Sequence, residues 1–214
     1  MSATPRNIVV FGATGTVGRL AVADLLEQGH TVTAFARAPE RLNLSHPNLR
    51  LHSGDAMEAR DVHAAMAGQD AAVVTLGAGM NRKSRIRSQG TLNVIRAMQA
   101  HGVRRLVVQS TLGARDSWSN LNFFWKRIMF GGLLRPVFRD HELQEHLVEA
   151  SGLDWTIVRP GAFADGPATG DFVEDVPPAR RGLKLKIARA DIAAFLTREL
   201  AEARYLRRAV GISA

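Results

Sequence analysis

The chain of 214 residues contains no cysteine, so disulfide bonds, thiolate nucleophiles and thiolate metal sites are excluded. It has a single tyrosine, Tyr205, and no apolar run as long as a membrane span. It also lacks the Gly-x-Ser-x-Gly sequence that presents a hydrolase serine on a strained turn. Residues 1–6 are polar and carry no apolar signal-peptide core, and we therefore expect a cytoplasmic protein.

Lysine is scarce, since only four of the 28 basic residues are lysines and the other 24 are arginines. The formal net charge of +8 would fit an anionic partner such as nucleic acid. The arginines, however, are scattered over every segment, with no lysine-rich tail and no basic strand interleaved with aromatic residues. We therefore expect no nucleic-acid partner.

Apolar runs rich in β-branched residues alternate with amphipathic stretches along the chain. Six predicted strands cover residues 7–11, 31–36, 49–53, 71–76, 104–109 and 154–159. The predicted helices cover residues 17–28, 59–67, 88–101, 137–150 and 191–202, the last with Asp191 as its N-cap. Continuously apolar strands separated by helices predict a parallel sheet covered on both faces. We therefore expect an α/β fold, a doubly wound parallel sheet (Rossmann fold) in a single domain over residues 1–214, with a short strand at 183–187 and an edge strand at 207–212.

The first predicted strand runs directly into a glycine loop that opens a helix. Gly12 permits the tight turn, Gly15 lets the backbone approach an anion with no Cβ in the way, and Gly18 allows the helix to lie close to the strand. Free amides and the helix dipole then attract a diphosphate. An ordinary turn could use the same glycines, but their position between a strand and an amphipathic helix is typical of a dinucleotide site.

The end of the second predicted strand indicates which nucleotide binds. An NAD site places an acidic residue there for the ribose hydroxyls, whereas this chain has Arg37, followed one turn later by Arg41. Both guanidinium groups could pair with the 2′-phosphate of NADP. We predict NADP(H) as the cofactor, with weaker binding of NAD(H); the alternative is that both arginines are solvated surface residues.

Two segments interrupt the alternation, residues 112–136 and residues 163–181. Both follow the carboxyl ends of strands, where an open α/β sheet binds what its cofactor acts upon, so we predict that they form substrate-side walls. The aromatic stretch 121–134 could be a lid, a core helix or a subunit interface; a contact with a membrane surface, which Lys126 and Arg127 would favour, is not expected. The oligomeric state, monomer or homodimer, stays open. After the fourth strand a basic run predicts either an anion clamp or a solvated loop: Arg82, Lys83, Arg85 and Arg87.

Short motifs along nearly the whole chain resemble one family. They are Phe11-Gly12-Ala13-Thr14-Gly15, Ala36-Arg37, Ser53-Gly54-Asp55, Gly68-Gln69-Asp70-Ala71, Leu76-Gly77, residues 97–103, Asp140-His141, Ser151-Gly152-Leu153 and Thr169-Gly170. In combination they resemble the atypical short-chain dehydrogenase/reductase group, in particular the NAD(P)H-binding proteins similar to biliverdin-IXβ reductase, also called flavin reductase (the NmrA-like group). This resemblance implies a Rossmann fold, an NAD(P)H cofactor and a reductase activity.

The histidine spacings predict no metal site. The resemblance also implies roles for individual residues. On the phosphates and the 2′-phosphate it places Gly12, Thr14, Gly15, Thr16, Val17, Arg37 and Arg41. Beside the adenine, and along the cofactor ribose and diphosphate, it places Asp55, Ala56, Gly77 and Ala78. At the nicotinamide it places the hydroxyls of Ser110 and Thr111 and the stretch formed by Pro160, Gly161, Ala162 and Phe163.

The resemblance fails at residues that would transfer protons. The larger family uses a Tyr-x-x-x-Lys pair, in which the lysine lowers the tyrosine pKa so that the phenol acts as acid or base. In that register this chain has Val137 and His141, and Ala162 stands where biliverdin reductases carry a histidine. Tyrosine-assisted alcohol–ketone chemistry and bilin reduction are therefore both disfavoured.

Hydride transfer to a flavin or quinone needs little beyond alignment with the nicotinamide in a dry pocket, since the proton can come from water. The sequence therefore predicts an NADPH-dependent reductase of a planar, conjugated small-molecule substrate, with Ser110 or Thr111 as hydrogen-bond donor. His141 either orients the nicotinamide ribose or relays a proton; alternatively it is a helix-surface histidine paired with Asp140 or Glu145. The rival hypothesis is a non-catalytic NADP(H)-binding redox sensor.

Overall fold

A computed structural model describes residues 6–79, 81 and 83–214 of the protein. Eight strands form the main sheet in the order β3-β2-β1-β4-β5-β6-β10-β8, and β7 pairs with β9 in a second, two-stranded sheet. The strands are β1 Asn7–Phe11, β2 Thr31–Ala36, β3 Leu49–Ser53, β4 Ala71–Val74, β5 Arg105–Gln109, β6 Asp154–Pro160, β7 Ala162–Ala164, β8 Val173–Glu174, β9 Lys186–Ala188 and β10 Arg208–Ser213. All pairs in the main sheet are parallel except β10 with β8, so the predicted doubly wound parallel sheet is confirmed.

Five α-helices cover the two faces of this sheet. They are α1 Gly18–Glu27, α2 Ala59–Met66, α3 Ile86–His101, α4 Arg135–Glu149 and α5 Arg189–Glu202. On one face α1 and α5 bury side chains such as Leu25 and Phe195, and on the other α2, α3 and α4 bury Met66, Met98 and Val148. The central strands β1 and β4 are buried between these layers, which explains their continuously apolar sequence, whereas the edge strand β3 carries the exposed Arg50.

The chain order of the strands reverses at β1, which lies between β2 and β4. Connections on the two sides of β1 therefore leave in opposite directions and open a crevice at the carboxyl ends of the strands, the usual ligand position in this architecture. The glycine loop that follows Phe11 lies at this reversal. The sheet topology thus places the predicted phosphate site in the crevice.

Two details of the sequence prediction are wrong. The C-terminal strand was expected at an edge, but β10 pairs with both β6 and β8, so its backbone groups bond on both sides and the short β8 forms the edge. Asp191 was expected to cap α5, but the helix begins two residues earlier and Ala188 is its N-cap. The buried Asp191 carboxylate instead accepts hydrogen bonds from the backbone N–H groups of Thr169 and Gly170, each at 2.8 Å.

Segment 112–136 leaves the sheet after β5 and forms two short helical elements before α4. The first is a 3₁₀ helix over Arg115–Asn120 and the second a π-helix over Phe124–Leu133. The π-helix ends with the N–H of Leu134 donating to the carbonyl of Met129, five residues earlier, at 2.7 Å. A third hydrophobic cluster, which includes Leu121, Phe130 and Phe138, fastens this segment to α4. No helix among the described residues combines the length and apolarity needed to cross a bilayer.

Candidate functional site: a nucleotide crevice

The glycine loop has the backbone geometry that the sequence predicts. Gly12 adopts φ +87°, and a Cβ there would lie 2.8 Å from the carbonyl oxygen of Thr75. A Cβ at Gly18 would collide with the carbonyl oxygen of Gly12 and lie 2.7 Å from the Thr75 hydroxyl. Both positions therefore require glycine, one for the turn and one for the close approach of α1 to the end of β4.

Three backbone amides at this loop have no protein partner. The N–H groups of Gly12 and Ala13 donate to the carbonyl of Phe35, and that of Gly15 donates to the carbonyl of Gly12. Within the described ranges no residue accepts a hydrogen bond from the N–H of Thr14, Thr16 or Val17. These amides precede α1, whose first turn holds no acidic residue, so the positive end of the helix dipole is left for an anion.

Both predicted arginines lie beyond the end of β2. Arg37 directly follows the strand, and Arg41 lies in a 3₁₀ helix over Pro39–Leu42. Both side chains are exposed, and neither forms an ion pair with any carboxylate in the described part of the chain. Their charges are therefore available to an anion at this end of the crevice.

The residues expected along the nucleotide also lie in loops that leave the same edge of the sheet. Ala56 is buried, and the Asp55 carboxylate accepts a hydrogen bond from the backbone N–H of Met57 at 2.9 Å, which fixes the turn after β3. Gly77 and Ala78 follow β4, and Gly77 is exposed with open space where a Cβ would lie. Of the predicted anion clamp, Arg82 lies outside the described residues.

The hydroxyls predicted to lie at the nicotinamide follow the end of β5. Ser110 is 2% exposed, and its backbone N–H donates to the carbonyl of Val158 at 2.7 Å. Its hydroxyl finds no hydrogen-bond partner among the residues that the structure describes. Thr111 is half-buried, and its hydroxyl reaches only the carbonyl of Leu112, at 3.4 Å. Since a buried hydroxyl without a partner is costly, Ser110 is a candidate for a ligand contact.

The stretch after β6 lies beside the segment that follows Ser110. The N–H of Leu112 donates to the carbonyl of Pro160 at 2.8 Å, and a Cβ on Gly161 would lie 2.8 Å from the backbone of Leu185. Ala162 and Phe163 belong to β7, and the ring of Phe163 is 41% exposed. The four residues expected at the carboxamide thus form one continuous wall next to the ends of β5 and β6.

His141 lies inside the protein, so its alternative assignment as a surface histidine is wrong. The side chain is buried in α4, and burial, followed by the positive charge of Arg87, lowers its pKa to about 3; a hydrogen bond with Gln144 opposes this shift. The imidazole is therefore neutral near pH 7, where it cannot serve as a proton donor in the imidazolium form. Its role in orienting the nicotinamide ribose stays a prediction.

Asp140, one of the two predicted partners of His141, binds other groups. Asp140 accepts hydrogen bonds from the Ser88 hydroxyl at 2.5 Å and from the backbone N–H groups of Arg87 and Ser88 at 3.1 Å, so it caps the start of α3. The guanidinium of Arg87 lies 3.8 Å from the same carboxylate. Arg87 therefore belongs to the contact between α3 and α4 rather than to an anion clamp.

Residues 12–203 match the model of a protein family described as NAD(P)H-binding. The chain belongs to this family. The match begins at the first glycine of the loop and runs to the end of α5. It confirms the resemblance drawn from the sequence motifs.

Two relatives are similar over most of the chain. The uncharacterized chloroplastic protein At2g34460 of Arabidopsis thaliana is 27% identical over 187 residues, which cover 78% of this chain but only 63% of the relative's length. The UPF0659 protein YMR090W of Saccharomyces cerevisiae is 27% identical over 213 residues, which cover 92% of this chain and 88% of the relative. Neither name assigns an activity.

Among solved structures, ChuY of Escherichia coli O157:H7, described as an anaerobillin reductase, is similar in fold and in sequence. It superposes with a TM-score of 0.78 at 26% identity, and the match covers 96% of each chain. The likeness extends over the strands, the glycine loop and the segments after β5 and β6, since almost the whole chain is included.

Sequence reasoning missed two groups that hold the crevice together. Thr75, just after β4, donates its hydroxyl to the carbonyl of Phe11 at 3.1 Å and so links the two strands beside the glycine loop. Arg159 in β6 is 2% exposed and binds the buried carboxylate of Glu145 through two hydrogen bonds, at 2.7 and 3.0 Å. It also donates to the exposed carboxylate of Asp116 at 2.7 Å. A charged residue within an otherwise apolar strand is the signal that could have found the second group.

A cavity of about 510 Å³ opens at the opposite, amino edge of the sheet. Its charged residues already bind one another, with Arg104 2.9 Å from Asp154 and Arg105 donating to the carbonyls of Asp154 and Glu199. We place the functional site at the carboxyl edge because the free amides, the unpaired arginines and the buried Ser110 hydroxyl lie there.

Proposed function

We propose that the protein is an NADPH-dependent reductase that delivers hydride to a planar, conjugated acceptor of the flavin or quinone class. The glycine loop at the strand-order reversal, with three amides free for a diphosphate, is the observation that carries this proposal. When bound, NADPH supplies a hydride, and the acceptor gains that hydride together with one proton from water. The similarity to ChuY supports a reductase.

The choice of NADPH over NADH is supported by Arg37 and Arg41. Their guanidinium groups are exposed and form no ion pair with a described carboxylate. They lie beyond the end of the second strand, where this architecture binds the adenosine ribose. A 2′-phosphate would form charge-assisted hydrogen bonds with them, whereas a free ribose hydroxyl would not. The two residues therefore discriminate between the nucleotides by charge.

The acceptor class is supported by the lack of a suitable proton donor near the crevice among the residues that the structure describes. Val137 occupies the tyrosine position of the larger group, His141 is neutral near pH 7, and Tyr205 packs against Phe195 beyond the end of α5 with ring centroids 6.0 Å apart. Ser110 remains as a neutral hydroxyl that can donate a hydrogen bond to a carbonyl of the acceptor or of the carboxamide. Such a site suits acceptors that take their proton from solvent.

The test is NADPH oxidation, followed by the loss of its near-ultraviolet absorbance, against a panel of flavins, quinones and simple ketones. We expect turnover with flavins or quinones and none with ketones. Ser110→Ala should lower kcat by roughly tenfold, the effect of one hydrogen bond, whereas Ser151→Ala, between α4 and β6 at the amino edge of the sheet, should not. Tight NADPH binding without turnover by any acceptor would overturn the proposal in favour of a redox sensor.

A further inference from the structure

The π-helix of segment 112–136 has an inner side that fastens it to the protein. Phe130 is 7% exposed, and its ring lies 4.7 Å from that of Phe138 in α4 and 5.4 Å from that of Trp125. Trp125 and Phe130 are five residues apart, the repeat that a π-helix places on one side. The element is therefore held in a defined orientation.

The other side of this element is apolar and exposed. Phe124, Ile128 and Leu133 are each about half exposed, at 49%, 51% and 50%, and the preceding Phe123 is 74% exposed. A π-helix has between four and five residues per turn, so residues 124, 128 and 133 fall on one side. Four of the ten exposed large hydrophobic residues among the described positions thus lie within eleven residues, which is typical of a docking surface.

The charge around this surface has one sign. From Leu121 to Arg139 the sequence contains four basic residues and no acidic one. Arg139 lies near Glu142, but Lys126, Arg127 and Arg135 form no ion pair with a described carboxylate. The exposed apolar row is therefore bordered by three uncompensated cations.

We propose that this face docks on the surface of a bilayer that contains anionic phospholipids. Apolar side chains bordered by cations match the acyl boundary and the phosphate layer of such a surface. A second copy of the chain fits less well, because a two-fold interface places the same patch on both subunits and would bring the cations of the two copies together. This docking does not depend on the proposed reductase activity.

Vesicle flotation tests the apolar part of the proposal without cofactor or substrate. We expect binding to phosphatidylcholine vesicles that contain phosphatidylglycerol and little binding to phosphatidylcholine alone. The double variant F124S/I128S should bind at least tenfold more weakly, because it removes most of the apolar contact. Leu51→Ser is the control, since Leu51 is also 50% exposed but lies in β3, at the opposite end of the sheet. Thermal unfolding of each variant shows that it has folded.

Charge reversal tests the electrostatic part. K126E/R127E should weaken binding to the anionic vesicles by more than about twentyfold, because each cation at such a surface contributes roughly fivefold. Arg50→Glu in β3 should change it far less. Equal binding to neutral and anionic vesicles, or unchanged binding by both double variants, would overturn the proposal. So would dimerisation of the parent chain in sedimentation analysis, lost in F124S/I128S, if no vesicle binding is seen.

Discussion

The two halves of the crevice are built in different ways. The nucleotide half consists of backbone, with the glycine turn, the free amides before α1 and a strand end that brings Arg37 into place. The other half, where we propose that the acceptor binds and which we call the acceptor half, depends on distant side chains, since the wall after β5 is held by the ion pairs of Arg159 and by the cluster around Phe130. The glycine pattern of the nucleotide half is visible in neighbouring residues of the sequence. The wall after β5 forms only when segments distant in the sequence have come together.

The largest effect should come from the buried ion pair of the acceptor half. Glu145→Ala leaves the guanidinium of Arg159, which is 2% exposed, without its two-point partner. We expect a loss of about 3 to 5 kcal/mol in the free energy of unfolding, measured by urea denaturation. Glu149→Ala on the same helix breaks the partly exposed pair with Arg115 and should cost less than about 1 kcal/mol. If Glu145→Ala and Glu149→Ala lower the free energy of unfolding by the same amount, the buried ion pair with Arg159 does not stabilise the acceptor half more than a surface pair does.

The backbone half should respond most to Gly12→Ala. The new Cβ adds backbone strain at φ +87° and a contact with the Thr75 carbonyl, so the loop must shift. We expect NADPH affinity, measured by calorimetry, to fall by about a hundredfold. Gly29→Ala is a matched control, because it has φ +83° and open space around the Cβ position. If both variants lose NADPH affinity to the same extent, backbone strain at a glycine with positive φ explains the loss. The contact of residue 12 with the Thr75 carbonyl is then not its cause.

His141 should make stability depend on pH. Its pKa is near 3 in the folded protein against 6.5 ordinarily, so the unfolded chain binds the proton more tightly. The stability contributed by the neutral ring is complete above about pH 6.5 and is lost as the pH falls toward 3. Between pH 7 and pH 5 the loss is about 2 kcal/mol.

His141→Asn should remove this pH-dependent component from urea denaturation curves. His146→Gln, an exposed histidine of the same helix, controls for the loss of one histidine. An unchanged pH dependence in His141→Asn would show that the ring can be protonated in the folded state.

The smallest effect is expected at Arg37. Arg37→Ala should weaken NADPH binding by about tenfold, the contribution of one charge-assisted contact, and leave NADH binding unchanged. Arg50→Ala, at another exposed arginine, should alter neither. Titrations of each variant with NADPH and with NADH give the ratio of the two dissociation constants directly. If Arg37→Ala weakens both equally, Arg37 does not recognise the 2′-phosphate.

The nucleotide half of the crevice could be predicted from the sequence better than the acceptor half. The first three strands were predicted with their observed bounds, because each is followed directly by glycine or arginine. The glycine loop was predicted because its glycines stand directly between an apolar strand and an amphipathic helix. The contacts that require glycine at 12 and 18 include Thr75, which is distant in the sequence.

The acceptor half was predicted less well, because its partners are distant in the sequence. Arg159 meets Asp116 across 43 positions, and the π-helix keeps its register through contacts with α4 that no local pattern reveals. His141 has an ordinary helical context, and only the packing of α3 against α4 shows that it is buried. Long-range pairing therefore limits prediction in this region.

Asp191 connects the two halves mechanically. Its carboxylate holds Thr169 and Gly170, in the loop after β7, against the first turn of α5, and the flank of α5 packs on α1, which begins at the glycine loop. The loop after β7 and the helix that follows the glycine loop are thus joined through α5. If this loop borders the acceptor as we propose, the packing of α1 on α5 sets its distance from the nucleotide.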